Sequence, residues 1–460
     1  MSASPLRVLL ALAFPMVIAR ATQSIMSFAD AYMVEHLGKE EIVAAATGGL
    51  NSYLFMILPT GVVFIVQSFV SQLVGAGDRD ATPRFAWYGF AIAAASGVIA
   101  LAAFPLIDPL LGAFGYSAQV EEQMSSYMKI RLFSVAAVVA VEVMNNWYGG
   151  LGNTWMALVS SVITMCVDLF LNYALIDGNF GFPQMGVDGA ALSTTIGSCA
   201  GLVFLLVAYG RRWGMAIGGP APRRRRDGNP LNLSWRELRR VIRFGLPNGL
   251  NWLAEFGAFQ LFVNVVFGSL GADTLAAFNV VLALNSVGFM PAFGLASAGA
   301  ILAGQSIGAN QKDQVWPQVR LTLGCTAVWM GVMGVLYVVF PAKLLGLFDS
   351  DGMGGDTFVA VGATMLLISA AWQLFDAVGI TLSETLRAAG DTTWTAAARI
   401  LLAWGVFFPV AYVVARYFDG GAVGAMLCLV GYLTILAGLF AYRFRSGRWR
   451  SIELIEPKLV

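Results

Sequence analysis

The sequence is short of charge. Only 12% of its 460 residues are Asp, Glu, Lys or Arg, about half the ~25% usual in a soluble domain. Histidine occurs once and cysteine four times. Cys166, Cys199, Cys325 and Cys428 stand singly in apolar stretches. That excludes a disulfide scaffold or a Cys/His metal framework and leaves them as small packing residues. No Gly-x-x-x-x-Gly-Lys-Ser/Thr run is present to cradle phosphates, so this chain does not hydrolyse ATP. Gly304-Gln305-Ser306-Ile307-Gly308 fits the hydrolase pattern Gly-x-Ser-x-Gly in letters alone. That chemistry needs a preceding strand and a His partner, and His36 falls on the opposite side of the membrane in the topology given below. The chain is expected to be no enzyme and to carry no cofactor. Its net charge of +1 gives no reason to expect nucleic acid as a partner.

Apolar residues take the place of the missing charge. They make up 58% of the chain, and mean hydropathy is +0.72. This is the composition of an integral membrane protein. A spanning helix needs about 20 mostly apolar residues. Twelve stretches qualify: 8–34, 42–74, 84–107, 122–148, 154–176, 186–210, 238–267, 273–307, 318–341, 355–387, 393–416 and 421–442. No alternating ten-residue pattern of a membrane β-barrel occurs. Met1 to Ala21 has the outline of a signal peptide, but the apolar pattern runs on to Val34, so it reads as the first span. The expected fold is therefore an all-α polytopic membrane protein.

Basic residues set the orientation. Arg211, Arg212, the run Arg223–Arg226, Arg236, Arg239, Arg240 and Arg243 crowd the junction after span six. Glu40, Glu41, Glu121, Glu122, Asp349, Asp351 and Asp356 occupy odd-numbered junctions. Lys and Arg mark the cytoplasmic side, so both termini are expected to be cytoplasmic, in a bacterial inner membrane. The four-arginine run reads as a topology determinant, with a lipid-headgroup site as the alternative.

The two halves repeat. Pro15 pairs with Pro247, Leu37-Gly38 with Leu270-Gly271, and Pro59 with Pro291. Gln72-x-x-Gly75-Ala76 matches Gln305-x-x-Gly308-Ala309, and Phe104-Pro105 matches Phe340-Pro341. Gly186-x-x-Gly189-Ala190 matches Gly421-x-x-Gly424-Ala425. Six spans per half is an even number, so the repeat is parallel, the plan of transporters that rock two bundles about a central site. Expected lobes are 1–210 and 236–442, joined by an Arg-rich linker at 211–235 and followed by a tail at 443–460. Gly245-x-x-x-Gly249 is a weak helix-packing signal in a chain with 51 glycines.

An ionisable group inside a span costs about 2.5–3.5 kcal/mol on insertion scales and needs a reason. Asp30, Glu142, Asp168, Glu255 and Asp376 qualify. Several sit in polar stripes at helical spacing: Gln23, Ser27 and Asp30; Asp168 and Asn172; Asn248, Asn251 and Glu255; Ser369, Gln373 and Asp376. Such faces look into protein or a wet cavity, because lipid cannot satisfy them. Gln23, Ser27, Asn251 and Gln373 are thus candidates for lining a substrate cavity. Arg20 lies too deep in span one to reach the interface, and Glu142 is its expected structural partner.

These residues together resemble the multidrug and toxic compound extrusion (MATE) family. The resemblance rests on Pro15 with Asp30, the Gln-x-x-Gly-Ala pair, Asn172-Tyr173 with Gly178 and Gly181-Phe182-Pro183, and Leu386-Arg387-x-x-Gly390-Asp391-Thr392. It covers nearly the whole chain. Glu255 with Asp376 resembles the NorM-type branch. The resemblance implies twelve helices in two six-helix bundles, exporting cationic or amphipathic drugs against Na⁺ or H⁺, as a monomer. Asp30, Asp168, Asn172 and Thr194 then resemble the amino-lobe cation site, and Glu255 and Asp376 the carboxy-lobe one, either able to hold Na⁺. The family usually has Asn where Asp168 stands, which leaves the choice of ion open. A lipid-linked oligosaccharide flippase of the same superfamily would want a cationic cavity. A major-facilitator transporter shares the six-plus-six plan, but its loop between spans two and three is only faintly echoed by Gly77-Asp78-Arg79.

Overall fold

The computed structural model describes residues 4–213, 233–346, 355–418 and 420–455. Arg223–Arg226, most of the expected linker, Asp349, Asp351 and the end of the tail lie outside them. The described residues contain no strand.

In chain order the helices are α1 (Pro5–Glu35), α2 (Lys39–Val63), α3 (Ile65–Gly75), α4 (Thr82–Ala102), α5 (Phe104–Gly112) and α6 (Ala118–Phe133). Next come α7 (Val135–Gly150), α8 (Trp155–Asp177), α9 (Val187–Gly210), α10 (Trp235–Leu261), α11 (Ala272–Gly308) and α12 (Val315–Val339). The last are α13 (Pro341–Gly346), α14 (Gly355–Ala388), α15 (Thr392–Leu402), α16 (Phe408–Tyr417) and α17 (Gly421–Arg445).

Among the described residues, 11 helical stretches are long and apolar enough to cross a membrane. The remaining expected span, 122–148, is helical but broken. Its two pieces, α6 and α7, are 16 residues each. The break has a local cause. Both the Ser134 amide, at 3.0 Å, and its hydroxyl, at 2.7 Å, donate to the Arg131 carbonyl three residues back. A hydroxyl competing for the backbone in this way bends helices. Two other segments widen into π-helix, Phe262–Phe267 after α10 and Ala403–Phe407 between α15 and α16. Phe262 and Phe407, one from each, pack with ring centroids 4.8 Å apart.

The chain folds as two compact units that divide it differently from the expected lobes. One comprises Met1–Val17 with Leu250–Glu456, the other Ile18–Gly249. Both boundaries fall inside a helix, shortly after Pro15 and Pro247, where each ring removes a backbone donor. Packing explains the exchange. Leu9 and Ala13 of α1 are buried with Leu295 and Ala298 of α11. Meanwhile the first half of α10 lies against α2. A Cβ at Gly245 would sit 2.4 Å from the Val62 carbonyl oxygen, and one at Gly249 would sit 2.5 Å from that of Leu58. The Gly-x-x-x-Gly pattern, weak in the sequence, is therefore used as a close helix contact. Asn248 adds a bond from Nδ2 to the Gly61 carbonyl at 2.6 Å, so this member of the span-seven polar stripe holds helices together. At its polar end α10 is tied to α4: Glu237 bonds Tyr88 at 2.7 Å and pairs with Arg84 at 3.1 Å.

Backbone oxygens cannot step aside for a side chain. Gly249→Val is expected to lower thermal stability in detergent by about 1–3 kcal/mol. Gly438→Ala, in α17 with nothing within 4 Å of the new Cβ, should leave it unchanged or raise it. Equal melting temperatures for the two variants would contradict the close α2–α10 contact.

Candidate functional site

In the unit built from Ile18–Gly249, glycine lets α9 lie directly on α8. A Cβ at Gly197 would meet the Thr164 carbonyl oxygen at 3.0 Å and the Asp168 Cβ at 3.2 Å. Asp168 is fully buried there, with 0% of its surface exposed. Asn172, one turn on, donates from Nδ2 to Asp30 Oδ1 at 2.6 Å and to Asp168 Oδ2 at 3.3 Å. Its own Oδ1 accepts from the Ser193 hydroxyl of α9. Thr194 lies within hydrogen-bonding reach of Asp168, and the two carboxylates lie within such reach of each other. All four amino-lobe residues expected from the sequence are therefore together, with one amide bridging two acids.

Two carboxylates this close are stable only with a proton or a cation shared between them. Asp168 Oδ1 is buried without a hydrogen-bond partner. One positive group faces the pair. Arg131 of α6 is near enough to act on both acids electrostatically, yet its Nε and Nη1 are buried and hydrogen-bonded to nothing. The sequence reading missed Arg131 and Ser193. Arg131 stands inside the expected span 122–148, so the cost of burying its charge was a signal in the sequence.

In the unit containing Leu250–Glu456, Glu255 of α10 and Asp376 of α14 also lie within electrostatic range of each other, and here an arginine is bonded to one of them. Arg399 of α15 donates from Nη1 to Glu255 Oε2 at 2.7 Å. Its Nη2 reaches the Ser383 hydroxyl at 3.4 Å, and its guanidinium lies 5.4 Å from the Phe440 ring centroid. Asp376 is half-buried and within electrostatic range of both Glu255 and Arg399. Tyr432 of α17 stands beside the same charges, its hydroxyl buried without a hydrogen-bond partner. Its ring packs 4.9 Å from Phe407, in the π-helical segment that follows α15. Widened helix turns of this kind often mark functional sites.

The four cavity candidates divide. Gln23 and Ser27 are exposed, Ser27 bonding back to the Gln23 carbonyl at 3.1 Å. Asn251 and Gln373 are buried. Gln373 Nε2 donates to Asn285 at 2.7 Å, while Gln373 Oε1 and Asn251 Oδ1 have no hydrogen-bond partner. Arg20 bonds Gln23 at 3.2 Å and lies 5.8 Å from the Phe64 ring centroid. Glu142, its expected partner, accepts from Asn146 at 3.5 Å. Tyr53 is within electrostatic reach of both.

The comparisons with known proteins agree with this architecture. The MatE family model matches residues 15–174 and again 255–413, one copy in each half of the chain. A probable multidrug resistance protein NorM of Thermotoga maritima is 27% identical, over 98% of this chain and 95% of its own. Multidrug resistance protein NorM of Burkholderia vietnamiensis is 28% identical, over 94% and 92%. A crystal structure of MATE in complex with MaL6 superposes with a TM-score of 0.85 at 20% identity, covering 98% of both chains. A MOP superfamily transporter from Pyrococcus furiosus gives 0.84 at 19% identity, with the same coverage.

Asn172 is the group on which the amino-unit arrangement hangs. Asn172→Leu removes the donor shared by Asp30 and Asp168 and should lower thermal stability in detergent by about 1–3 kcal/mol. An unchanged melting curve would show that the two acids do not depend on this amide.

Proposed function

The chain belongs to the MatE family, and on that premise we propose that it exports cationic or amphipathic small molecules against an inward flow of Na⁺ or H⁺. Family membership makes it a multidrug efflux transporter and not an enzyme. The observation that carries the coupled reading is a pair of acids inside the spans of each compact unit, Asp30 with Asp168 and Glu255 with Asp376. A carboxylate held in hydrocarbon is expensive until a cation neutralises it. Loading and unloading a cation therefore changes how readily the helices carrying it can be reoriented. This is what a cation-driven cycle requires.

In this reading the coupling ion is taken up at Asp30, Asp168, Asn172 and Thr194, with Glu255 and Asp376 as the second acid pair. The protein works as a monomer in the bacterial inner membrane with both ends in the cytoplasm. The acidic odd-numbered junctions support that orientation. So does a cavity of about 490 Å³ lined by Glu41, Glu122 and Asp188, which joins three of those junctions within one unit.

Everted membrane vesicles test the proposal. A pH gradient or a Na⁺ gradient, imposed alone, should drive accumulation of a cationic dye. Asp30→Asn, Glu255→Gln and Asp376→Asn should each remove most of that transport while the protein still inserts. Dye movement that ignores both gradients, or native rates in all three variants, would overturn it.

A further inference from the structure

The carboxy-terminal acid pair differs from the amino-terminal one in a way its acids alone do not show. Among the described residues, neither Asp30 nor Asp168 forms a salt bridge, whereas Glu255 is already bound by Arg399. The 2.7 Å contact is in the range of a strong charge-assisted hydrogen bond. Arginine stays protonated at every physiological pH. While the contact lasts, Glu255 is occupied by a cation that belongs to the protein.

We propose that Arg399 is a tethered competitor for the exported cation: it fills the Glu255 position in the empty protein, and an organic monocation reaches that carboxylate only by displacing it. The proposal rests on the exporter reading above and names the residue that sets the affinity of one of its acid sites.

The geometry suits an exchange. Glu255 keeps 37% of its side chain exposed, against 16% for Arg399, so the carboxylate's own side chain is the less covered member of the pair. A displaced arginine is not stranded. Asp376 lies within electrostatic range, the Ser383 hydroxyl is at 3.4 Å, and the Phe440 ring remains beside the guanidinium. Leaving a buried charge with no partner costs several kcal/mol. Moving it from one carboxylate toward another avoids most of that cost. The charged and titratable groups around Glu255 come from three further helices: Asp376 on α14, Arg399 on α15 and Tyr432 on α17. Only Arg399 among them can stand in for a cationic substrate. The contact is therefore also a filter, since a neutral amphipathic molecule gains nothing that would repay the loss of the ion pair.

Equilibrium binding of tetraphenylphosphonium to the purified full-length protein in detergent decides the matter, because this probe is permanently charged and cannot act as a proton. Arg399→Gln should bind it about tenfold more tightly than the native protein, and Glu255→Gln about tenfold more weakly. The double variant Arg399→Gln/Glu255→Gln, which removes both members of the buried pair and leaves neither charge alone, should return close to the native Kd. Arg399→Lys keeps the charge and should stay near native. A merely structural arginine would change melting temperature without this pattern of affinities. Unchanged affinity in Arg399→Gln, or a gain that survives in the double variant, would overturn the proposal. If Arg399→Gln does not fold, Glu255→Gln against the double variant decides: equal affinities refute competition, and recovery in the double variant upholds it. A native protein that binds no tetraphenylphosphonium counts against the exporter reading. The arginine proposal then stands or falls on whether Arg399→Gln gains binding.

Discussion

A carboxylate inside hydrocarbon has to be neutralised by something close at hand, and much of this structure is arranged around that requirement. Water is absent, salt screening is absent, and the unpaired charge is costly. Each compact unit meets the requirement with its own materials. In one, a fully buried amide bridges Asp30 and Asp168 while Arg131 stands near with two unbonded nitrogens. In the other, Arg399 closes directly on Glu255 with Asp376 beside it. The two solutions are chemically different. Among the described residues the first leaves the acids without a salt bridge, and the second leaves one of them internally satisfied.

Backbone geometry makes such neutralisation possible. Gly197 removes the side chain that would hold α9 away from Asp168. The turn at Ser134 breaks the helix only three residues after Arg131, and the π-helical segment Ala403–Phe407 begins one turn after Arg399. In both units, then, a departure from regular α-helix lies close to the arginine that answers the acids. Prolines act at a larger scale. Pro15 and Pro247 lie just before the points where α1 and α10 pass from one compact unit to the other. The two residues are also partners in the sequence repeat, so the exchange of helix halves is itself repeated.

The fold was largely legible because its signals are long and redundant. Apolar runs of more than 20 residues locate the spans whatever their fine structure, and the paired landmarks reveal the two copies that the MatE model matches separately. Span four shows the limit of that signal: hydropathy averages over the bend at Ser134, which depends on a single hydroxyl. The unit boundaries were equally hidden, because they depend on which helix Gly245 and Gly249 meet, and spacing names no partner. The acids of both sites could be found from the cost of burying them. Arg131 and Arg399 carry the same cost, but they stand in other spans than the acids they face, and spacing along the chain does not show that a base in one span meets an acid in another. Tyr432 offered no signal at all, since an aromatic in a span is ordinary until its hydroxyl is found buried among charges.

The proposed antiport requires that the two cations oppose each other's binding, and the opposition must be reciprocal at equilibrium. The most direct measurement follows the coupling ion as the exported cation is added. Purified protein equilibrated with radioactive Na⁺, or held in weak buffer with a pH indicator, is titrated with tetraphenylphosphonium. Release of Na⁺ or of protons in proportion to the tetraphenylphosphonium bound is the result the account predicts. Saturating tetraphenylphosphonium binding that releases neither ion would contradict it.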